Sequence, residues 1–190
     1  SPSWGLIIRW NFWIFNPDII LDKRKMDTFS HTFWGLGLFG NRGFPWLAAF
    51  FGAFPDLVSF GFLFIKRIVT GEFHFGAPPL DTIPQWVFIS YNYSHSFIIA
   101  FLFLGIVSIF RKNWAFAMLG WPFHILLDFP FHTKAYFPTK LFWPLSNITI
   151  DGIPWTHPAI WFPNLAGIII LFFWRWRVKQ GAIQTSNSLK

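Results

Sequence analysis

The chain has 190 residues, 54% of them hydrophobic, 23% aromatic and only 12% charged. A soluble domain is about 25% charged and could not hide this much apolar surface in a core of this size, so the composition points to an integral membrane protein solvated by lipid. The net charge of +7 is spread over the ends of apolar runs, unlike a nucleic-acid face, and the absence of cysteine excludes disulfides and thiolate metal ligands.

Residues 1–25, SPSWGLIIRWNFWIFNPDIILDKRK, interrupt their apolar stretch with Arg9, Asn11 and Asn16 and end in a charge cluster. With no small-residue cleavage site after a clean apolar core they make a poor signal peptide. They are expected to be an N-terminal extension or interfacial segment ahead of a domain that begins at Met26.

Five apolar segments follow, at 28–40, 44–62, 95–110, 113–129 and 158–176, each bounded by Gly, Pro or a basic pair. Thirteen residues rise about 20 Å as a helix, against a hydrocarbon core of about 30 Å. Aromatic anchoring and local thinning cover the difference. The expected fold is all-α, a polytopic transmembrane bundle of about five short helices over 26–178. Pro55, Pro122 and Pro130 are tolerated where neighbours satisfy the freed carbonyls. Residues 66–93 are too broken to span, and 179–190 form a polar, frayed tail.

Arg42 lies in the turn GNRG, Arg111 and Lys112 in the turn RKN, and Arg175, Arg177 and Lys179 at the end of the last segment. Threading the chain up and down puts all three groups on one side, which the positive-inside rule makes cytoplasmic. Lys23–Arg24–Lys25 and Lys66–Arg67 then fall on the far side.

The same threading gathers His31, Asp56, His95, His124, Asp128 and His132 at the end opposite the basic turns. His124 and Asp128, at i and i+4, share one helical face, and an unpaired carboxylate in so apolar a run is costly. A divalent cation would offer these groups a partner, and imidazole with carboxylate suits zinc, manganese or iron. The expected ligands are His31, Asp56, His95, His124 and Asp128. Asp56 also reads as a turn former after Pro55, and His132 as either an outer-sphere partner or a structural residue. Asp27, Ser94 and Ser96 orient imidazoles or cap the helices that follow. His74 and His157 read as interfacial anchors, and FWPLS, with Asn147 and Asp151 beyond it, as a loop that roofs the site.

MDTFSHTFWGLGLFG, AFPDLVSF, YSHSFIIAFLF, HILLDFPFHT and LFWPLS occur in an order and spacing that resemble the YdjM-type (LexA-regulated) inner-membrane metal-dependent hydrolases, over about residues 26–146. The resemblance matches His31, Asp56, His95, His124 and Asp128 to the family's pattern. Two positions depart from it: Val58 stands where the family often has a second acid, and Tyr91–Asn92 where it often has His-Arg. The resemblance implies a bacterial-type inner-membrane protein that would hydrolyse an ester or phosphoester bond. The charge threading puts its metal site towards the extracytoplasmic side, its depth in the membrane suits a lipid-like substrate, and the expected partner is the bilayer, with no nucleic acid. Asp128 or Asp27 would accept the proton of the attacking water. The alternative is a non-catalytic metal-binding scaffold or a small transporter, although IIAFLFLGIVSIF offers almost no polar path through the bundle.

Overall fold

Lipid leaves backbone N–H and C=O groups no partner outside their own segment, so apolar runs of this kind fold as helices. The computed structural model describes residues 28–73 and 78–188. Among them the fold is all-helical, with no strand and one isolated bridge between Thr133 and Tyr136. In chain order come α1 (Thr28–Phe39), α2 (Pro45–Val69), α3 (Gln85–Ser94), α4 (Phe97–Phe110), α5 (Lys112–Met118), α6 (Gly120–Asp128) and α7 (Pro158–Ser188). Two helices are long and apolar enough to cross a membrane, Pro45–Val69 and Pro158–Thr185; α3 and α4, bent by 55° at the break between them, would make a third span together. Residues 1–27 and His74 lie outside the described residues.

The second helix corrects a sequence expectation. Asp56 was expected where an apolar segment emerges, but the helix runs on for another turn of π-type winding (Leu57–Gly61) and then to Val69. Asp56 therefore sits inside the helix, about 17 Å along a rod about 37 Å long. Pro55 lacks an N–H and disturbs the ladder, and the wide turn absorbs the disturbance without ending the helix. Ser59, fully buried, donates its hydroxyl to the Pro55 carbonyl at 2.7 Å.

Glycine draws three helices into backbone contact. A Cβ on Gly35 of α1 would lie 2.5 Å from the Ala48 carbonyl oxygen, and one on Gly52 of α2 would lie 2.4 Å from the His31 carbonyl oxygen. One on Gly120 of α6 would lie 3.0 Å from both Ala48 O and Gly52 N. Small residues permit this approach, and dispersion between the close-packed backbones contributes to the packing.

Three basic groups share one end of this bundle. The Arg42 guanidinium lies 3.9 Å over the Phe116 ring, and Phe44 meets Trp114 edge-on. Arg175 Nη1 donates to the carbonyls of Leu36 and Gly37, at 2.7 and 2.6 Å, in the last turn of α1. Lys66 and Arg67 stand at the far end of α2, where Arg67 donates to Thr82 Oγ1 at 2.9 Å. α7 meets α1 through Trp34, whose indole donates to Asn164 Oδ1, and through Asn164 Nδ2, which donates to Ser30 Oγ. The tail expected to fray instead continues α7 to Ser188. Lys179, Gln180, Ala182 and Gln184 are good helix formers, and elongating an existing helix avoids the cost of nucleation.

Residues 129–157 fold back over the open end of the bundle without regular structure. Gly152 N and Ile153 N donate to the carbonyls of His132 and Pro130, Phe97 N donates to Leu141 O, and Ser96 Oγ donates to Trp143 O. Two small apolar clusters flank the region beneath this roof, one around Val87, Tyr91 and Phe137, the other around Ala100, Trp121 and Ile125.

Candidate metal centre

Between those clusters lies a polar layer. α1 contributes His31 from its first turn, α2 contributes Asp56 at the start of the π winding, and the break between α3 and α4 contributes His95. α6 contributes His124 and Asp128 on one face, and the turn after it contributes His132. None of the six is more than 8% exposed.

Four of them converge. One donor atom from each of Asp56, His95, His124 and Asp128 lies within 4.8 Å of the others, and this buried group could hold a metal ion. His95 Nε2 stands 3.2 Å from Asp128 Oδ2, 3.8 Å from Asp56 Oδ1 and 3.3 Å from His124 Nε2. His124 Nε2 stands 3.0 Å from Asp128 Oδ2 and 3.7 Å from Asp56 Oδ1. Two ligands each about 2.1 Å from a tetrahedral cation stand about 3.4 Å apart. The observed separations bracket that value.

The outer nitrogens set the tautomers. His124 Nδ1 faces the Gly52 carbonyl at 2.6 Å, and His95 Nδ1 faces the Tyr91 carbonyl at 3.2 Å and Ser94 Oγ at 2.9 Å. A carbonyl only accepts, so each Nδ1 carries a proton, and in the neutral ring each Nε2 turns a lone pair inward. Asp56 Oδ1 and Asp128 Oδ2 are buried with no hydrogen-bond partner among the described residues, as is His31 Nδ1. With neutral rings, two lone-pair nitrogens and two orphaned carboxylate oxygens face one another, an arrangement that costs several kcal/mol per unpaired charge unless a cation, or a second proton on a ring, lies between them. The donor set therefore fits a divalent cation.

Around this quartet the remaining oxygens are satisfied. Thr28 Oγ1 donates to Asp56 Oδ2 at 2.6 Å, and the Trp155 indole donates to Asp128 Oδ1 at 3.3 Å. His31 Nε2 stands 3.0 Å from that same Oδ1, its ring stacked on His124 at 3.8 Å and met edge-on by Trp155. His132 Nε2 stands 3.5 Å from it, and its Nδ1 meets both Tyr91 Oη and the Phe137 carbonyl at 2.8 Å. Tyr91 stacks on His95 at 3.8 Å and shares a hydrogen bond with Thr139.

Of the five ligands expected from sequence, four share one centre and His31 stands beside it, on the other oxygen of Asp128. Ser94 touches His95 Nδ1 and is held by Ser59 at 2.8 Å. Ser96 does not touch an imidazole: its hydroxyl accepts from Ile99 N as a helix cap and donates to the roof at Trp143. His157 is exposed, and its Nδ1 accepts from Ala159 N at the start of α7. Asp27 lies outside the described residues. Val58, where the family resemblance expects a second acid, is 40% exposed and faces away from the layer.

Sequence reading missed the Gly52 carbonyl, Thr28, Ser59, Tyr91, Thr139 and Trp155. Tyr91 alone had a local signal, four residues before His95 on the helix that leads to it.

No family model, curated protein or solved structure matches this chain.

Ser94→Ala removes the hydroxyl at His95 Nδ1 and leaves Ser59 only its bond to the Pro55 carbonyl. Losing an outer-sphere partner of this kind weakens metal binding about 10–100-fold. Titration against a competing chelator measures it, and unchanged affinity would mean that the Tyr91 carbonyl alone orients His95.

Proposed function

We propose that this protein is a membrane-bound, metal-dependent hydrolase acting on an ester or phosphoester bond, as its resemblance to the YdjM-type family implies. The observation that carries the reading is the buried quartet of Asp56, His95, His124 and Asp128, whose donor atoms lie within 4.8 Å of one another and whose Asp56 Oδ1 and Asp128 Oδ2 have no hydrogen-bond partner among the described residues. Zinc suits the donor set best, with manganese or iron as alternatives. A cation held there would supply Lewis acidity, polarising the scissile group and acidifying a bound water.

The chain's own residues do the rest. Gly52, Tyr91 and Ser94 fix the imidazole tautomers, and Thr28 and Trp155 take up the outer carboxylate oxygens, so the inner ones stay aimed at the centre. Asp128 or Asp27 would accept the water's proton. Because every donor is buried, a substrate reaches the centre only when the roof over 129–157 lifts with Trp155. Phe142, Leu145, Ile148 and Ile153 are exposed on that roof, which supports a lipid-like substrate that enters from the bilayer interface. In this reading the chain is a polytopic inner-membrane protein. The end with Arg42, Arg111 and Arg175 is cytoplasmic, and the centre lies towards the opposite side.

The second reading is a non-catalytic metal-binding scaffold, and a specific feature favours it: four buried protein ligands resemble the closed sphere of a structural site. A panel of lipid esters and phosphoesters separates the two. Metal-loaded wild type is expected to turn over at least one class, with a loss of about 100-fold or more in His124→Ala. Turnover that survives His124→Ala at the wild-type rate would sink the hydrolytic centre, and metal-loaded protein inert towards the whole panel would favour the scaffold.

A further inference from the structure

Asp128 serves two separate sets of imidazoles. Its Oδ2 faces His95 and His124 at 3.2 and 3.0 Å, while its Oδ1 faces His31 and His132 at 3.0 and 3.5 Å. One tetrahedral cation needs only the first set together with Asp56. The second pair has no role in that site, yet both rings are buried and point their Nε2 atoms at the one oxygen the first cation would leave unused.

The tautomer of His132 is set by the Phe137 carbonyl, with Tyr91 Oη, which can donate or accept, at the same distance from Nδ1. Its Nδ1 lies 2.8 Å from the Phe137 carbonyl, which only accepts, so the neutral ring turns an Nε2 lone pair towards a carboxylate oxygen 3.5 Å away. Two electron-rich atoms at that separation repel unless something positive lies between them, and the separation is that of neighbouring ligands on one cation. Tyr91 Oη, itself bonded to Thr139, holds the ring in place from behind, as outer-sphere partners hold metal-bound histidines.

We propose that Asp128 is a bridging carboxylate and that the centre holds two divalent cations, the second taken by Asp128 Oδ1, His31 Nε2 and His132 Nε2; with both its oxygens so engaged, Asp128 no longer serves as the base for the attacking water. The proposal rests on the metal reading of the first site. It also bears on the objection that four buried ligands make a closed site. A cation with three protein donors keeps positions open for water and substrate, and paired cations clamp both the attacking and the leaving oxygen of a displacement. Asp128 Oδ1 and His31 lie against Trp155 of the roof, so a cation held by them would sit where a substrate arrives.

The test uses the full-length protein in detergent, stripped with chelator, reloaded with Mn²⁺ and freed of excess. The expected result is two manganese ions per chain by plasma mass spectrometry, with the broadened electron-paramagnetic signal of a spin-coupled pair. His132→Gln is expected to retain one ion and give the six-line signal of isolated Mn²⁺. One ion per chain with an isolated signal in wild type would overturn the second site and leave the first standing. No bound ion would overturn both. Two ions retained in both His132→Gln and His31→Gln would overturn the ligand assignment.

Discussion

Asp128→Asn is expected to abolish metal binding while making the metal-free protein more stable than metal-free wild type. Asp128 is 1% exposed and stands within 3.5 Å of four imidazoles. Two of those rings turn lone pairs towards Oδ2, because their outer nitrogens are committed to the carbonyls of Gly52 and Tyr91. Without a cation the wild-type chain buries a carboxylate against acceptors, and repulsion and desolvation both oppose it. An amide of the same shape removes the charge and offers N–H donors to the facing nitrogens, an advantage of about 1–3 kcal/mol. With metal the order reverses: wild type gains the binding free energy in proportion to the logarithm of metal concentration over the dissociation constant, and the variant gains nothing. Thermal unfolding followed by tryptophan fluorescence, with chelator and with saturating Zn²⁺, measures both arms. A variant less stable than wild type in chelator would mean that the carboxylate is held by protons, not by a cation.

The second large effect concerns backbone contact. Gly52→Ala puts a methyl 2.4 Å from the His31 carbonyl oxygen and 3.2 Å from Gly35 Cα, both backbone atoms that cannot swing aside. α1 and α2 must separate, which takes His31 away from Asp128 and the Gly52 carbonyl away from His124. Overpacking of this kind costs about 1–3 kcal/mol, and metal affinity falls with it because two helices that carry donors part. Gly105→Ala is the matched control. Nothing lies within 4 Å of a Cβ there, and replacing a mid-helix glycine gains about 0.5–1 kcal/mol. Opposite shifts in unfolding temperature, with metal lost only from Gly52→Ala, are the expected pair of results. Equal behaviour of the two variants would contradict the account of how the helices meet.

What was legible in the chain beforehand follows from which signals are rare. Ionisable residues are so sparse in these apolar runs that His31, Asp56, His95, His124 and Asp128 stood out individually, and their places near segment ends were enough to anticipate a shared layer. Helix limits were legible where Gly, Pro or a basic pair marked them, as at Gly40, Arg111 and Pro158. The continuation of α2 to Val69 was not, because LVSFGFLFIKR changes from α to π winding without any change in composition. The winding also turns Val58 outward and Ser59 inward, which simple helical spacing does not foretell. The carbonyl of Gly52 had no signature at all, since every residue carries one. Trp155 was hidden by abundance: in a chain with 13 Trp, an indole carries little information until its partner is known. Ser94 and Ser96 flank the same histidine and differ only in rotation about the helix break, so one reaches the imidazole while the other caps α4.

X-ray absorption at the metal edge of protein purified without added chelator tests the centre most directly. The account predicts a stoichiometric divalent metal with nitrogen and oxygen neighbours at about 2.0–2.2 Å, the multiple-scattering pattern of at least two imidazoles, and no sulfur. Both the metal and the imidazole pattern should vanish in His124→Ala. Protein that carries no metal, or a metal surrounded by oxygen alone, would contradict it.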